Sequence, residues 1–317
     1  MAAASTLNVT SNFRGDHAGR YIAAALKEAT TLEYMTVMEN IKFKRNITKL
    51  TGQTGSGAEY TGLIQDRSCD FNPLGALALT DKVLTPKPLQ VNYQMCKADL
   101  IKDWQALQMK AGQWNTNMGA DFASFLISQV AGVIAQGTEN SIWNGADATA
   151  GQFEGFMTAA TGLFLTPDAV TLAPAITGGT YAQATIISDL SALVAAAPAA
   201  VYSHISDDLY LYMGVKAYRM YIAAVSELGY VNAYNMNSTY EPYFEGVKIA
   251  VCAGMPDDNA CIAQKSNLFF GTDLLSDETE IRVLDMATID GSDNIRVVAK
   301  YTGGVQFGIE SDIVWQK

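Results

Sequence analysis

Between Asn117 and Gly145 the chain reads NMGADFASFLISQVAGVIAQGTENSIWNG. Apolar side chains return at Met118, Phe122, Phe125/Leu126, Val130, Val133/Ile134 and Ile142. That three-and-four spacing puts a single apolar stripe along one α-helix. Asn117 can cap its start and Gly145 suits the position just past its end. At ~1.5 Å per residue such a helix is roughly 40 Å long, more than most globular helices. A chain that commits this much to one rod holds either a core helix of an α+β enzyme or a spine for a flat, elongated subunit. Periodicity alone leaves both open.

The remaining chain is long enough for more than one core. Single cores stop growing at roughly 250–300 residues, so 317 residues with 49% hydrophobic side chains predict two packed subdomains. No apolar run approaches the ~20 residues that span a bilayer. The start, MAAASTLNVTSNFRGD, shows no basic leader followed by an apolar block, so no secretion signal is expected. Cys69, Cys96, Cys252 and Cys261 lie far apart with no CxxC pair, as expected of reduced structural thiols. Net charge is -11, and no Lys or Arg occurs between Lys110 and Lys216. That middle stretch holds Asp121, Glu139, Asp147, Glu154, Asp168, Asp189, Asp207 and Asp208. It cannot displace phosphate counterions, which speaks against nucleic-acid recognition. An acidic middle and basic ends suit subunits that meet head to neighbour; a solvated acidic face is the alternative.

In chain order, residues 1–15 read as a flexible arm. His17 to about Asn40 reads as an amphipathic helix, with Tyr21, Ile22, Ala25, Leu26, Leu32, Met35 and Met38 on one side. IKFKRNITKL (41–50) reads as a half-exposed basic strand. A Gly/Thr-rich loop follows, and Leu84–Cys96 is predicted to be the return strand. Residues 41–96 then form a two-stranded excursion with a loose tip, marginal alone and in need of a surface. Residues 97–116 predict a short helix. Further on come a helix over 182–197 stopped by Pro198, short strands at 200–202 and 209–213, and a helix over 215–228 closed by Gly229. That strand–helix alternation is an α/β pattern. The final part is β-rich, with strands predicted at 247–252, 261–264, 268–270, 280–284, 295–301 and 305–309. The Asp290–Asn294 cluster reads as a turn.

Chemistry-bearing patterns are sparse. His17 and His204 stand apart, without Cys or carboxylates at ligand spacing, so no metal site is predicted. TGQTGSGAEYTG lacks the Gly-Lys-Ser/Thr ending of a phosphate loop. Asp207-Asp208 and Asp257-Asp258 read as solvated or capping acids rather than an acid–base pair. Arg14-Gly15-Asp16 and the sequons at Asn8, Asn46 and Asn237 carry no weight without a secretion route. No catalytic, cofactor-binding or metal residues are expected, which favours a structural protein over an enzyme.

The order of features resembles the major capsid proteins of tailed bacteriophages, the Hong Kong 97-like shell fold. An arm and helix precede the basic strand IKFKRNITKL and a Gly-rich excursion. The chain returns through LIQDRSCDFNPLGALALTDKVLTPKPLQVNYQMCKADLIKDW. The long helix runs out through GVIAQGTENSIWNG into GQFEGF, and the end is NLFFGTDLLSDETEIRVLDMATIDGSDNIRVVAKYTGGVQFGIESDIVW. The resemblance implies an α+β fold with an N-arm (1–40), an extended E-loop (41–96) and a P-domain with the spine helix (97–159). It further implies an A-domain (160–262) and a β-rich return to the P-domain (263–317).

It also implies many copies, as hexamers and pentamers, closing an icosahedral shell around DNA that is bound without sequence recognition and without a membrane. The protein would lie in the virion capsid, and in the host cytoplasm during assembly. The short stretch before residue 41 leads us to expect a separate scaffolding protein, with a portal. Lys42, Lys44, Arg45 and Lys49, on the E-loop stem, are the expected inter-subunit contact residues; the tip lacks Lys, so no covalent crosslink is expected. An acidic middle facing inward would leave the lumen non-adhesive to DNA. The alternatives are an encapsulin, a cellular cargo compartment of the same fold, and an oligomeric α+β enzyme.

Overall fold

In the structure, a computed structural model, residues 30–53, 67, 69, 76–96, 120–159, 161–165, 170–203, 208–228, 242–273 and 281–317 are described. The arm at 1–15, most of the 17–40 helix, the loop tip, the 97–116 helix, Asn117, His17, His204, Asp207, Asn8 and Asn237 lie outside these residues.

The described chain runs β1 (Thr36–Met38), β2 (Arg45–Gln53), β3 (Ala76–Leu84), β4 (Lys87–Cys96), α1 (Ala120–Asn144), β5 (Thr171–Leu172), α2 (Ile186–Ala195), α3 (Ala199–Tyr202), β6 (Leu209–Gly214) and α4 (Val215–Glu227). It continues through β7 (Tyr243–Phe244), β8 (Val247–Cys252), β9 (Ala260–Gln264), β10 (Leu268–Gly271), β11 (Arg282–Asp285), β12 (Asn294–Phe307) and β13 (Val314–Gln316). These strands form a five-stranded sheet (β1-β10-β12-β11, with β4 also on β12), a six-stranded sheet (β5-β13-β9-β6-β8-β7) and the two-stranded β2-β3.

α1 is the long rod the apolar stripe predicts. Ile127, Val130 and Ile134 pack on Val283, Ile295, Val297 and Ala299 of the five-stranded sheet and on Ile281 just before β11. Val133 is 56% exposed, so Ile134 alone of that pair faces the core. Farther along, Ile142 and Trp143 enter the central cluster with Phe156, Phe164, Tyr212, Phe270, Phe307 and Trp315, where the two large sheets meet. The last carbonyls of a helix have no partner within it. Here the returning chain supplies them: the amides of Phe156 and Met157 donate to the carbonyls of Ile142 and Trp143, at 3.0 and 2.7 Å. Gly145 permits the approach, because a Cβ there would lie 2.3 Å from the Phe153 carbonyl oxygen.

The six-stranded sheet holds a second core beneath α2 and α4, with Ile186, Leu190, Leu193, Leu211, Met213, Val247 and Ile262. β6, α4 and β8 form a parallel strand–helix–strand unit, Tyr210 opposite Lys248 through Gly214 opposite Cys252. This is the α/β pattern read from the spacing.

Five expectations are corrected. Over residues 30–40 a 3-10 turn (Thr30–Tyr34) and β1 replace the helix. The reason is that the Thr31 amide and hydroxyl bind Glu139 and the extended Thr36–Met38 pairs in parallel with β10. The strand expected over 41–50 begins at Arg45 and runs to Gln53. Residues 200–202 are helical rather than a strand, because Pro198, with φ preset at -57°, starts a new turn. The two strands expected over 295–301 and 305–309 are one 14-residue strand, β12. Its Gly303-Gly304 marks a change of partner from β4 to β10. Finally, the return strand of the excursion is β3, not Leu84–Cys96: Arg45 pairs Leu84 through Gln53 opposite Ala76. β4 belongs to the body, paired with β12 from Lys87–Gly303 to Cys96–Asn294.

Candidate functional site

The feature that stands off from both cores is the β2–β3 hairpin. Alternation gives it two faces. Arg45, Ile47 and Lys49 share one face with Leu84, Lys82 and Thr80; Asn46 and Thr48 share the other with Val83 and Asp81. Leu84 is fully buried, against Gly271 and Ile41. Outward, Leu79 is 69% exposed and Val83 43%. Phe43, in the approach to β2, is 84% exposed. A row of this kind suits a covering surface.

The inward face holds an ion cluster. Lys49 Nζ lies 2.5 Å from Glu310 Oε1, and Lys82 Nζ 3.2 Å from Glu310 Oε2. Lys82 Nζ also sits 3.6 Å from the centre of the Phe307 ring, a cation–π contact. Gln306 Nε2 donates to the Val83 carbonyl at 3.1 Å. Partial burial raises the Glu310 pKa, but the bond from Lys49, its backbone bond and Lys82 outweigh this and hold it down to about 2. Beside the hairpin exit, Val83, Pro86, Pro88, Phe153, Leu163 and Val305 line an open groove of about 580 Å³. Lys87 Nζ and Asp147 Oδ1, 2.9 Å apart, lie at its rim.

Of the residues predicted to meet a neighbour, Lys42, Lys44 and Arg45 are exposed at the hairpin base. Lys49 is turned onto its own body. Lys82 and Glu310 were missed. No local pattern marks Glu310, which stands 261 positions from Lys49.

Among the described acids of the cation-free middle, Glu139, Glu154, Asp189 and Asp208 accept from backbone amides. Buried Glu139, on α1, accepts from the Thr31 amide at 3.2 Å, the Gly254 amide at 3.3 Å, and the hydroxyls of Thr30 and Thr31. It ties the start of the described chain to the spine. Buried Asp189 accepts from the Thr177 amide and hydroxyl. Asp258 accepts from the Tyr181 amide and faces Lys216 Nζ at 3.6 Å, a structural role for one of the paired acids. Among the described residues no cluster of His, Cys, Asp and Glu could hold a metal ion, and no helix is long and apolar enough to cross a membrane. Burial pushes the Cys252 and Cys261 thiols far up, away from reactive thiolates.

No family model matches this sequence, and no curated protein does. Solved structures match over nearly the whole chain. The capsid of an empty GTA particle aligns with TM-score 0.53 at 12% identity, covering 91% of this chain and 89% of that one. The procapsid of satellite phage P4 aligns with TM-score 0.54 at 11% identity, covering 94% and 89%. This chain has the fold of a phage capsid subunit. A virus-like particle from Pyrococcus furiosus shares that capsid fold too, with TM-score 0.52 at 8% identity over 96% and 99%. At such identities the likeness lies in the arrangement of elements.

Proposed function

We propose that this chain is a major capsid protein of a tailed phage, of the Hong Kong 97-like kind. Many copies assemble as hexamers and pentamers into an icosahedral shell around the genome. The observation that carries the reading is the end-to-end agreement of the fold with capsid subunits, 91% of one chain on 89% of the other. Its role is structural, not catalytic. In this reading 1–40 is the N-arm, 41–96 contains the E-loop, 97–159 the P-domain with α1, 160–262 the A-domain, and 263–317 the return to the P-domain. β2–β3 is the E-loop proper, and β4 joins it to the P-domain sheet. The hairpin carries its exposed Leu79 and Val83 onto a neighbouring copy, with Lys42, Lys44 and Arg45 exposed at its base. Obligate contacts of this class bury on the order of 2,000–5,000 Å². Symmetry repeats each contact, so modest ones suffice. A separate scaffolding protein and a portal would guide assembly in the host cytoplasm, and DNA would be enclosed without sequence-specific contact.

The test is size exclusion followed by negative-stain microscopy of the expressed chain. Closed particles of uniform diameter in the void volume are expected. A stable monomer near 34 kDa, at high concentration and with scaffolding protein supplied, overturns the reading. A second reading, a cellular cargo compartment of encapsulin type, is favoured by the likeness to the Pyrococcus furiosus virus-like particle. Shells from the native source that hold an enzyme rather than DNA would select it.

A further inference from the structure

We infer that Glu310 is the positioning residue of the hairpin: gripped between Lys49 and Lys82, it latches the inward face of β2–β3 to the body and sets the angle at which the hairpin leaves it. The inference deepens the capsid reading, because that angle decides where Leu79 and Val83 meet a second copy.

The geometry is specific. Lys49 is on β2 and Lys82 on β3, so each strand contributes one ammonium. They take separate oxygens of the one carboxylate, at 2.5 and 3.2 Å. Glu310 sits on the 3-10 turn Glu310–Asp312, between β12 and β13. It therefore joins the hairpin to the strand that crosses the five-stranded sheet and to the strand that enters the six-stranded one. The side chains of the two lysines are 12% and 13% exposed and that of Glu310 30%, so the cluster is shielded but not sealed. Among the described residues of the hairpin, apolar anchorage is narrow. Leu84 is buried at the very base, and Ile47 is half-buried. Among the described residues the Lys49–Glu310 bond then ties β2 to the body, while Lys82 and the Gln306–Val83 bond hold β3. A two-stranded hairpin is marginal in water without a surface, so its order depends on such a tie. Being ionic, the tie is screened by salt: the Debye length falls from about 10 Å at 0.1 M to about 3 Å at 1 M. A carboxylate grip thus gives a hairpin that is held in one pose yet releasable, where an apolar anchor would hold it at any ionic strength.

Hydrogen exchange on the full-length chain tests this. In Glu310→Gln, amides of 45–53 and 76–84 exchange roughly tenfold faster, the loss expected for charge-assisted bonds, while those of β6, β8 and β9 do not change. Raising salt to about 1 M speeds the hairpin amides of the native chain and leaves those of Glu310→Gln unaffected. Unchanged hairpin exchange in a folded Glu310→Gln, or a loss spread equally over the six-stranded sheet, overturns the latch. If the chain never forms shells but the hairpin exchange responds, the capsid reading falls and the latch stands. If shells form and the exchange does not respond, the reverse holds.

Discussion

A few side chains set whether this backbone can close on itself. Gly145 has no room for a methyl group, whereas Gly137, on the open side of α1, has nothing within 4 Å of the Cβ position. Gly145→Ala therefore costs about 1–3 kcal/mol through overpacking against backbone. Gly137→Ala gains about 0.5–1 kcal/mol from helix propensity. Urea denaturation midpoints of the two variants should move in opposite directions. Glu139 is the other decisive residue. Glu139→Ala removes one acceptor from two amides and two hydroxyls, and buried donors left unpaired cost about 1–3 kcal/mol each. A stability loss below about 1 kcal/mol in the same denaturation series would mean that water replaces the carboxylate. Glu310 adds a pH dependence with a defined sign. Its folded pKa, about 2, lies below its ordinary 4.5. A lowered acid pKa stabilises above the unfolded value and ceases to as pH falls through the folded one. The hairpin's attachment should be intact at pH 6 and fade between about pH 4.5 and 2, read as a fall in the protection of amides 45–53 and 76–84 relative to the intrinsic exchange rate at each pH.

Among elements, α1, the hairpin and β12 divide the labour. α1 carries one apolar face into the sheet and ends in the aromatic centre. β12 spans the five-stranded sheet and holds β4, β11 and β10 in register. The hairpin gives its inward face to the body and keeps its outward face for another surface. Leu79→Asp probes that division: with the side chain 69% exposed, the thermal midpoint of the unassembled chain should shift by no more than about ±0.5 kcal/mol equivalent. Particle yield, measured by sedimentation, should drop severely, because burying an unpaired carboxylate between copies is costly. An unchanged yield would place the contact elsewhere. Most of these elements are legible from local pattern. The stripe of α1 and the β6–α4–β8 unit follow from side-chain period alone, as do the late strands except across Gly303-Gly304. There the two glycines interrupt the alternating apolar pattern, yet they serve close packing, since a Cβ on Gly304 would lie 3.0 Å from Pro86. The same limit hid the hairpin's true partner: Thr85-Pro86 separates β3 from β4, but an alternating pattern runs on through both.

At the scale of the whole molecule, the two large sheets meet in one aromatic cluster, and a hairpin leaves the body with apolar side chains exposed. This is the arrangement expected of a tile that completes its burial on copies of itself, and mass spectrometry or microscopy of assembled material measures it directly. What the amino-acid order by itself determined is the local part: the long spine, the strand–helix–strand unit, the β-rich end and the sparseness of catalytic patterns. Periodicity, proline and turn chemistry act over a few residues and are written in the chain. Tertiary structure alone decided which strand pairs with β2, that Lys49 turns inward, that Glu310 receives it, and that Glu139 and Asp189 bind backbone amides. Those outcomes depend on groups tens to hundreds of positions apart, and folding, not neighbouring sequence, brings them within bonding distance.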